Sequence, residues 1–113
     1  DRNPKKIVFL KHVARELDLS GIRFWNFLLQ DFMDNSLPGL FDIVVSRAFA
    51  SDPLLMDTMH QLIAPGGSLV RMAGPASVGK AFPLHHFRES FRWEGSLPFS
   101  DRLRSVIRYT KIA

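Results

Sequence analysis

The sequence predicts an α/β fold built on an open sheet, and three observations carry that expectation. Segments with helical and strand-like patterning alternate along the chain. One candidate strand, Phe41-Asp42-Ile43-Val44-Val45-Ser46, is almost continuously apolar, as a strand buried on both faces must be. Proline and glycine mark most of the boundaries. Helix, strand, strand, helix, strand is the alternation of an open α/β sheet, and two further extended segments at the end of the chain fit an antiparallel edge.

Asn3-Pro4 reads as an N-cap followed by proline at the first helical position. Ile7, Leu10, Val13, Ala14 and Leu17 then recur at helical spacing, with Lys5, Lys6, Lys11 and Arg15 largely off that stripe, which predicts a helix over 4–18 closed by Ser20-Gly21. Ile22 to Phe27 is short, aromatic and apolar, and predicts a strand. Phe41 to Ser46 is the second strand. Leu54, Leu55, Met59, Leu62 and Ile63 predict a helix from Pro53 to Ile63, ended by Ala64-Pro65-Gly66-Gly67. Ser68 to Met72 is the third strand. A loop over 74–83 then leads to extended segments at Phe87–Trp93 and Ser105–Thr110.

The chain has 113 residues, 46% hydrophobic and 23% charged, the composition of one globular domain rather than of a disordered segment. No apolar run is long enough to span a bilayer, and no signal-peptide pattern opens the chain. The absence of cysteine excludes disulfide and thiolate chemistry and fits a cytoplasmic protein. Asp rather than Met at position 1 leads to the expectation that the protein continues upstream. The net charge of +4 is uneven: residues 1–70 hold seven Lys/Arg and eight Asp/Glu, residues 71–113 eight and three. The basic last third suits either a polyanion such as RNA or a solvated surface.

Ligands of open α/β sheets bind beyond the carboxyl ends of the strands, and three places qualify. Asp1, just before the first helix, can accept hydrogen bonds from both hydroxyls of a ribose; its plainer role is to start the helix. Leu28-Leu29-Gln30-Asp31 follows the Ile22–Phe27 strand, where neutral donors and acceptors can read an adenine edge; its plainer role is a hydrophobic turn. Arg47, in Ser46-Arg47-Ala48-Phe49-Ala50-Ser51, directly follows a buried strand and can grip a phosphate or carboxylate in bidentate fashion, or pair with Asp42 or Asp52. Other constellations are weaker. His85-His86 has no cysteine or carboxylate cluster to complete a metal site. Gly74 to Lys80 has the glycines and lysine of a phosphate loop, but neither the expected helical context nor the following Ser/Thr, since Ala81 stands there. His12 and His60 lie in predicted helices with no evident catalytic partner.

The run Asp1 to Leu10, Val13 to Leu17, the Ser46–Ser51 segment after Phe41-Asp42-Ile43-Val44-Val45, the Ala64-Pro65-Gly66-Gly67 turn, Asp101-Arg102 and Lys111-Ile112 together resemble one family over almost the whole chain. That family is the bacterial small-subunit ribosomal RNA methyltransferase G, also called glucose-inhibited division protein B. The resemblance implies a Rossmann-like S-adenosylmethionine-dependent methyltransferase fold, with residues 1–113 as the C-terminal part of a single domain whose N-terminal strands and glycine-rich loop are missing. It further implies methylation of a guanine N7 in ribosomal RNA. Asp1 falls on the acidic ribose-binding position, Leu29 and Gln30 on the pair beside the adenine, and Arg47 on an arginine lining the cofactor pocket. Arg71, Arg88, Arg92, Arg102 and Arg104 are then the candidates for rRNA contact.

The family usually has arginine at the place of Leu28, glutamate at the place of Gln30, and a lysine-glycine pair where Ala73-Gly74 stands. The alternative reading is a non-catalytic methyltransferase-like domain that binds RNA or protein. Two expectations follow from the missing loop and strands. The 113-residue chain alone transfers no methyl group, and the apolar edge around Ile43-Val44-Val45 invites self-association.

Overall fold

The structure, a computed structural model, describes residues 1–26, 31, 34, 39–47, 53–75 and 86–112. These fall into two compact units, residues 1–36 and 37–113.

In the first unit, helix α1 spans Pro4–Glu16. The Asn3 side chain accepts the Lys5 N–H at 3.0 Å, and Pro4 occupies the first turn, where a missing N–H costs nothing. The helix stops two residues before the predicted 18 because Asp18 takes a left-handed conformation (φ 52°). Leu19 N then donates to Ala14 O at 2.9 Å and Asp18 N to Arg15 O at 3.2 Å, a Schellman closure that satisfies two of the last carbonyls. Ile7 and Ala14 form the buried part of its apolar stripe. The expected strand at Ile22–Phe27 is not found: residues 22–26 pair with no strand among the described residues, and Phe27 lies outside them. Extended backbone becomes a strand only when a neighbour takes its N–H and C=O groups. Here the Trp25 carbonyl instead accepts from the Asp1 nitrogen, at 3.0 Å.

The second unit runs β1 (Phe41–Arg47), α2 (Pro53–Leu62), β2 (Ile63–Ala73), β3 (Phe87–Ser96) and β4 (Leu103–Lys111). The sheet order is β1-β2-β4-β3. β1 and β2 are parallel, with α2 as the crossover that a parallel pair needs, and the other pairs are antiparallel, as expected for the edge. β2 is longer than predicted because its first residue already pairs. Ile63 faces Phe41, Ser68 faces Ile43, and Ala64-Pro65-Gly66-Gly67 bulges out between them. The bulge requires glycine: Gly66 has φ 76°, and a Cβ on Gly67 would lie 2.7 Å from the Asp42 carbonyl oxygen.

Strand alternation divides the sheet into two faces. On the inner face Leu69 pairs with Tyr109, Arg71 with Ile107 and Ala73 with Ser105, and all six are buried; Met59, Leu62 and Ile63 complete the core of this unit. The outer face carries Ile43, Val45 and Arg47 of β1, then Val70 and Met72, then Arg104, Val106 and Arg108, then Arg88, Phe91 and Trp93. The near-continuous apolar run of β1 predicts burial on both faces, and in this respect the structure differs. Ile43 is 61% and Val45 57% exposed, because no described element of the unit packs against the outer face. Among the described residues no helix is long and apolar enough to cross a membrane.

Candidate functional site

Asp1 precedes the first turn of α1. Its Oδ1 accepts the Asn3 N–H at 2.9 Å, while Oδ2 is 3.9 Å from the Lys6 ammonium. An ionised carboxylate offers about four lone-pair sites. One strong bond and one long ion pair therefore leave acceptor capacity on a partly exposed group. The residue also lies at the rim of a cavity of about 410 Å³ lined by apolar side chains that include Ile7, Leu10, Val13, Ile22 and Trp25. Both features fit a ribose-bearing group. Arg47 ends β1 at the carboxyl side of the parallel pair, is exposed, and faces Met72 across the ladder. That position also fits a ligand site. Asp1 belongs to the first unit and Arg47 to the second. Leu28, Leu29, Gln30 and residues 48–51 lie outside the described residues. Ala73, the last residue of β2, is buried against Ser105.

The structure sorts the five arginines proposed for RNA contact into different surroundings. Arg71 is only 6% exposed and lies beside Tyr109 on the inner face. Burial raises the Tyr109 phenol above its ordinary value of 10.0, and the Arg71 cation offsets part of that rise. Arg92 is also on the inner face. Its Nη2 and Nε lie 2.6 and 2.7 Å from Glu89 Oε1, and its Nη1 donates to Glu94 Oε1 at 2.9 Å. Arg88 and Arg104 stand on the outer face, and Arg102 lies in the β3–β4 connection.

The structure adds to the outer face residues that sequence reasoning missed: Arg108, and the aromatics Phe91 and Trp93, 55% and 41% exposed. Plain alternation along β3 would have put Arg88 and Arg92 on one face. A bulge at Ser90 reverses the phase, since Glu89 pairs with Tyr109 but Phe91 with Arg108. Only the ladder register reveals this. Among the described residues, no group of three His, Cys, Asp or Glu could hold a metal ion.

A family model described as rRNA small subunit methyltransferase G matches residues 1–81. A ribosomal RNA small subunit methyltransferase G from Magnetococcus marinus is 35% identical over 92 residues, covering 80% of this chain and 39% of the relative. The protein of the same name from Oceanobacillus iheyensis is 31% identical over 118 residues, covering 98% of this chain and 50% of the relative. The chain thus spans about a third to a half of the length of the curated relatives it matches. Among solved structures, a SAM-dependent methyltransferase from Methanosarcina mazei superposes with a TM-score of 0.70 at 15% identity, covering 99% of this chain and 80% of that one. The N-methyltransferase NodS from Bradyrhizobium japonicum, in complex with S-adenosyl-l-homocysteine, gives 0.68 at 20% identity, covering 100% and 65%. These likenesses identify the fold as the Rossmann-like methyltransferase fold expected from the sequence.

Proposed function

Since this chain belongs to the rRNA small subunit methyltransferase G family, we propose that it forms part of an S-adenosylmethionine-dependent enzyme that methylates a guanine N7 of small-subunit ribosomal RNA. The family match over residues 1–81 carries this reading, because it takes in Asp1, Leu29, Gln30 and Arg47 together. The cofactor supplies an electrophilic methyl group when bound. In this reading the Asp1 carboxylate accepts from the ribose hydroxyls, Leu29 and Gln30 flank the adenine, and the Arg47 guanidinium lines the pocket from the end of β1. Guanine N7 already carries a lone pair, so the protein's task is to hold the base in line with the methyl group rather than to move a proton. No glycine-rich loop that would seat the methionine end is present in these 113 residues, and the chain by itself is expected to transfer no methyl group.

Calorimetric titration of the protein with S-adenosylmethionine tests the reading. The parent is expected to bind and Arg47→Ala to bind several-fold more weakly. Absence of binding by the parent refutes the enzyme reading, and equal binding by both removes Arg47 from the site.

A further inference from the structure

We infer that the outer face of the β3–β4 hairpin is a docking platform for single-stranded RNA, with Trp93 as a base-stacking surface and Arg88, Arg104 and Arg108 as phosphate contacts. The proposed function identifies the polyanion; the geometry of the sheet places the surface.

The first observation is a separation of charge by strand register. The inner face of β2, β3 and β4 carries Arg71, Arg92 and Lys111 together with Glu89 and Glu94; Arg92 pairs with both carboxylates, and the Lys111 ammonium is taken up by two carbonyls. The outer face carries Arg88, Arg104 and Arg108, with Arg47 further along on β1, and no described strand residue on that face is acidic. Such a one-signed positive field attracts a polyanion and repels a basic protein surface.

The second observation is the construction around Trp93. A Cβ on Gly95 would lie 2.6 Å from Cζ2 and 3.1 Å from Cη2 of Trp93, so the indole ring lies over Gly95 and occupies the space a larger residue would fill. Gly95 pairs with Arg104 across the ladder, which brings that guanidinium-bearing strand position beside the ring. The Arg104 Nε is buried and makes no hydrogen bond among the described residues. A flat, part-exposed indole beside a cation matches a nucleotide, whose base stacks while its phosphate pairs.

The third observation is preorganisation of the second cation. The bulge residue Ser90 accepts from Arg108 Nε at 3.0 Å and from the Thr110 hydroxyl at 3.0 Å, while its own hydroxyl donates to the Arg108 carbonyl at 3.2 Å. This network holds the Arg108 guanidinium on the outer face, opposite exposed Phe91, with its remaining N–H groups unused by it.

Single strands are the predicted ligand because a base must be unstacked to lie on an indole. The test is fluorescence anisotropy of this chain with a labelled single-stranded RNA and with a duplex of equal charge, over a salt series. Arg104→Gln and Arg108→Gln are each expected to weaken single-strand binding several-fold and to reduce the slope against log salt by about 0.7. Trp93→Leu and Gly95→Ala are expected to weaken it about 5- to 100-fold with the slope unchanged, as loss of stacking alone requires. Lys5→Gln, which removes one exposed cation from the first unit, is expected to bind as the parent does, with circular dichroism confirming the fold of every variant. Equal binding of duplex and single strand, parent-like binding by Trp93→Leu, or an equal loss in Lys5→Gln overturns the platform. If the face variants change only the sedimentation of the protein, its occupant is a polypeptide and the inference also fails. RNA binding that survives in a protein unable to bind S-adenosylmethionine would refute the proposed activity and leave this surface standing.

Discussion

Replacing Lys111 by methionine tests whether the last strand holds helix α2 in place. The Lys111 ammonium, part-buried at the end of β4, donates to the carbonyls of His60 at 2.9 Å and Ile63 at 2.8 Å. These carbonyls lie at and just beyond the C-terminus of α2, where intrahelical donors have run out and the helix dipole is negative. A hydrogen bond to a charged group contributes about 1.5–3 kcal/mol. Methionine keeps most of the packing of the aliphatic stem but removes both bonds, and water recovers only part of them at a part-buried site. A net loss of about 2–4 kcal/mol follows. In a domain of this size each kcal/mol shifts Tm by roughly 4–8 °C, so the fall should be on the order of 10–25 °C. Thermal and urea unfolding followed by far-ultraviolet circular dichroism measure it, with Lys111→Arg as the variant that keeps the charge and part of the stability. A Lys111→Met protein within about 0.5 kcal/mol of the parent would refute the reasoning, since it would place the bond in the range of ordinary surface substitutions.

Two further outcomes follow from the structure. Tyr109 is the only tyrosine, buried at 2% exposure and raised above 10.0 chiefly by desolvation. The folded state therefore keeps a proton that the unfolded chain loses above pH 10, so stability present below that pH should fall as pH rises through the folded value, and Tyr109→Phe should remove this slope; titration of phenolate absorbance that finds an ordinary or lowered pKa in the folded protein contradicts the sign. The β1 edge, with Ile43 and Val45 exposed, is expected to drive self-association of the 113-residue chain, and Val45→Lys should reduce it. A monodisperse parent monomer in sedimentation velocity would count against that.

Much of the fold was legible because local signals and tertiary context agree. Asn3-Pro4 caps α1 as its side-chain chemistry requires, Pro53 opens α2, and the Ala64–Gly67 turn survives as a bulge within β2. What was not legible depends on neighbours. Ile22–Asn26 has the composition of a strand, yet composition supplies no partner for its backbone groups. The apolar run of β1 predicts cover on both faces, but burial is a property of what packs on a strand and not of the strand itself. Among the candidate site residues, Arg47 stands at the end of β1, where the strand reading placed it, whereas the face that each of the other arginines takes could not be read.

That last failure has a specific cause, and it is also where the physical content of the surface lies. Residues two apart on a strand share a face, so Arg88, Ser90, Arg92 and Glu94 read as one row from sequence alone. On that row the arginines would sit beside Glu94, and the basic excess of residues 71–113 would be partly cancelled where it is displayed. One extra residue at Ser90 changes the row. It sends Arg92 inward to Glu89 and Glu94, keeps Arg88 outward, and turns its own hydroxyl to the outer face to hold Arg108. A single bulge thus segregates matched from unmatched charge across one sheet. Moving the residues of β3 by one position would leave the net charge unchanged and bring Glu89 and Glu94 onto the outer face beside Arg104 and Arg108.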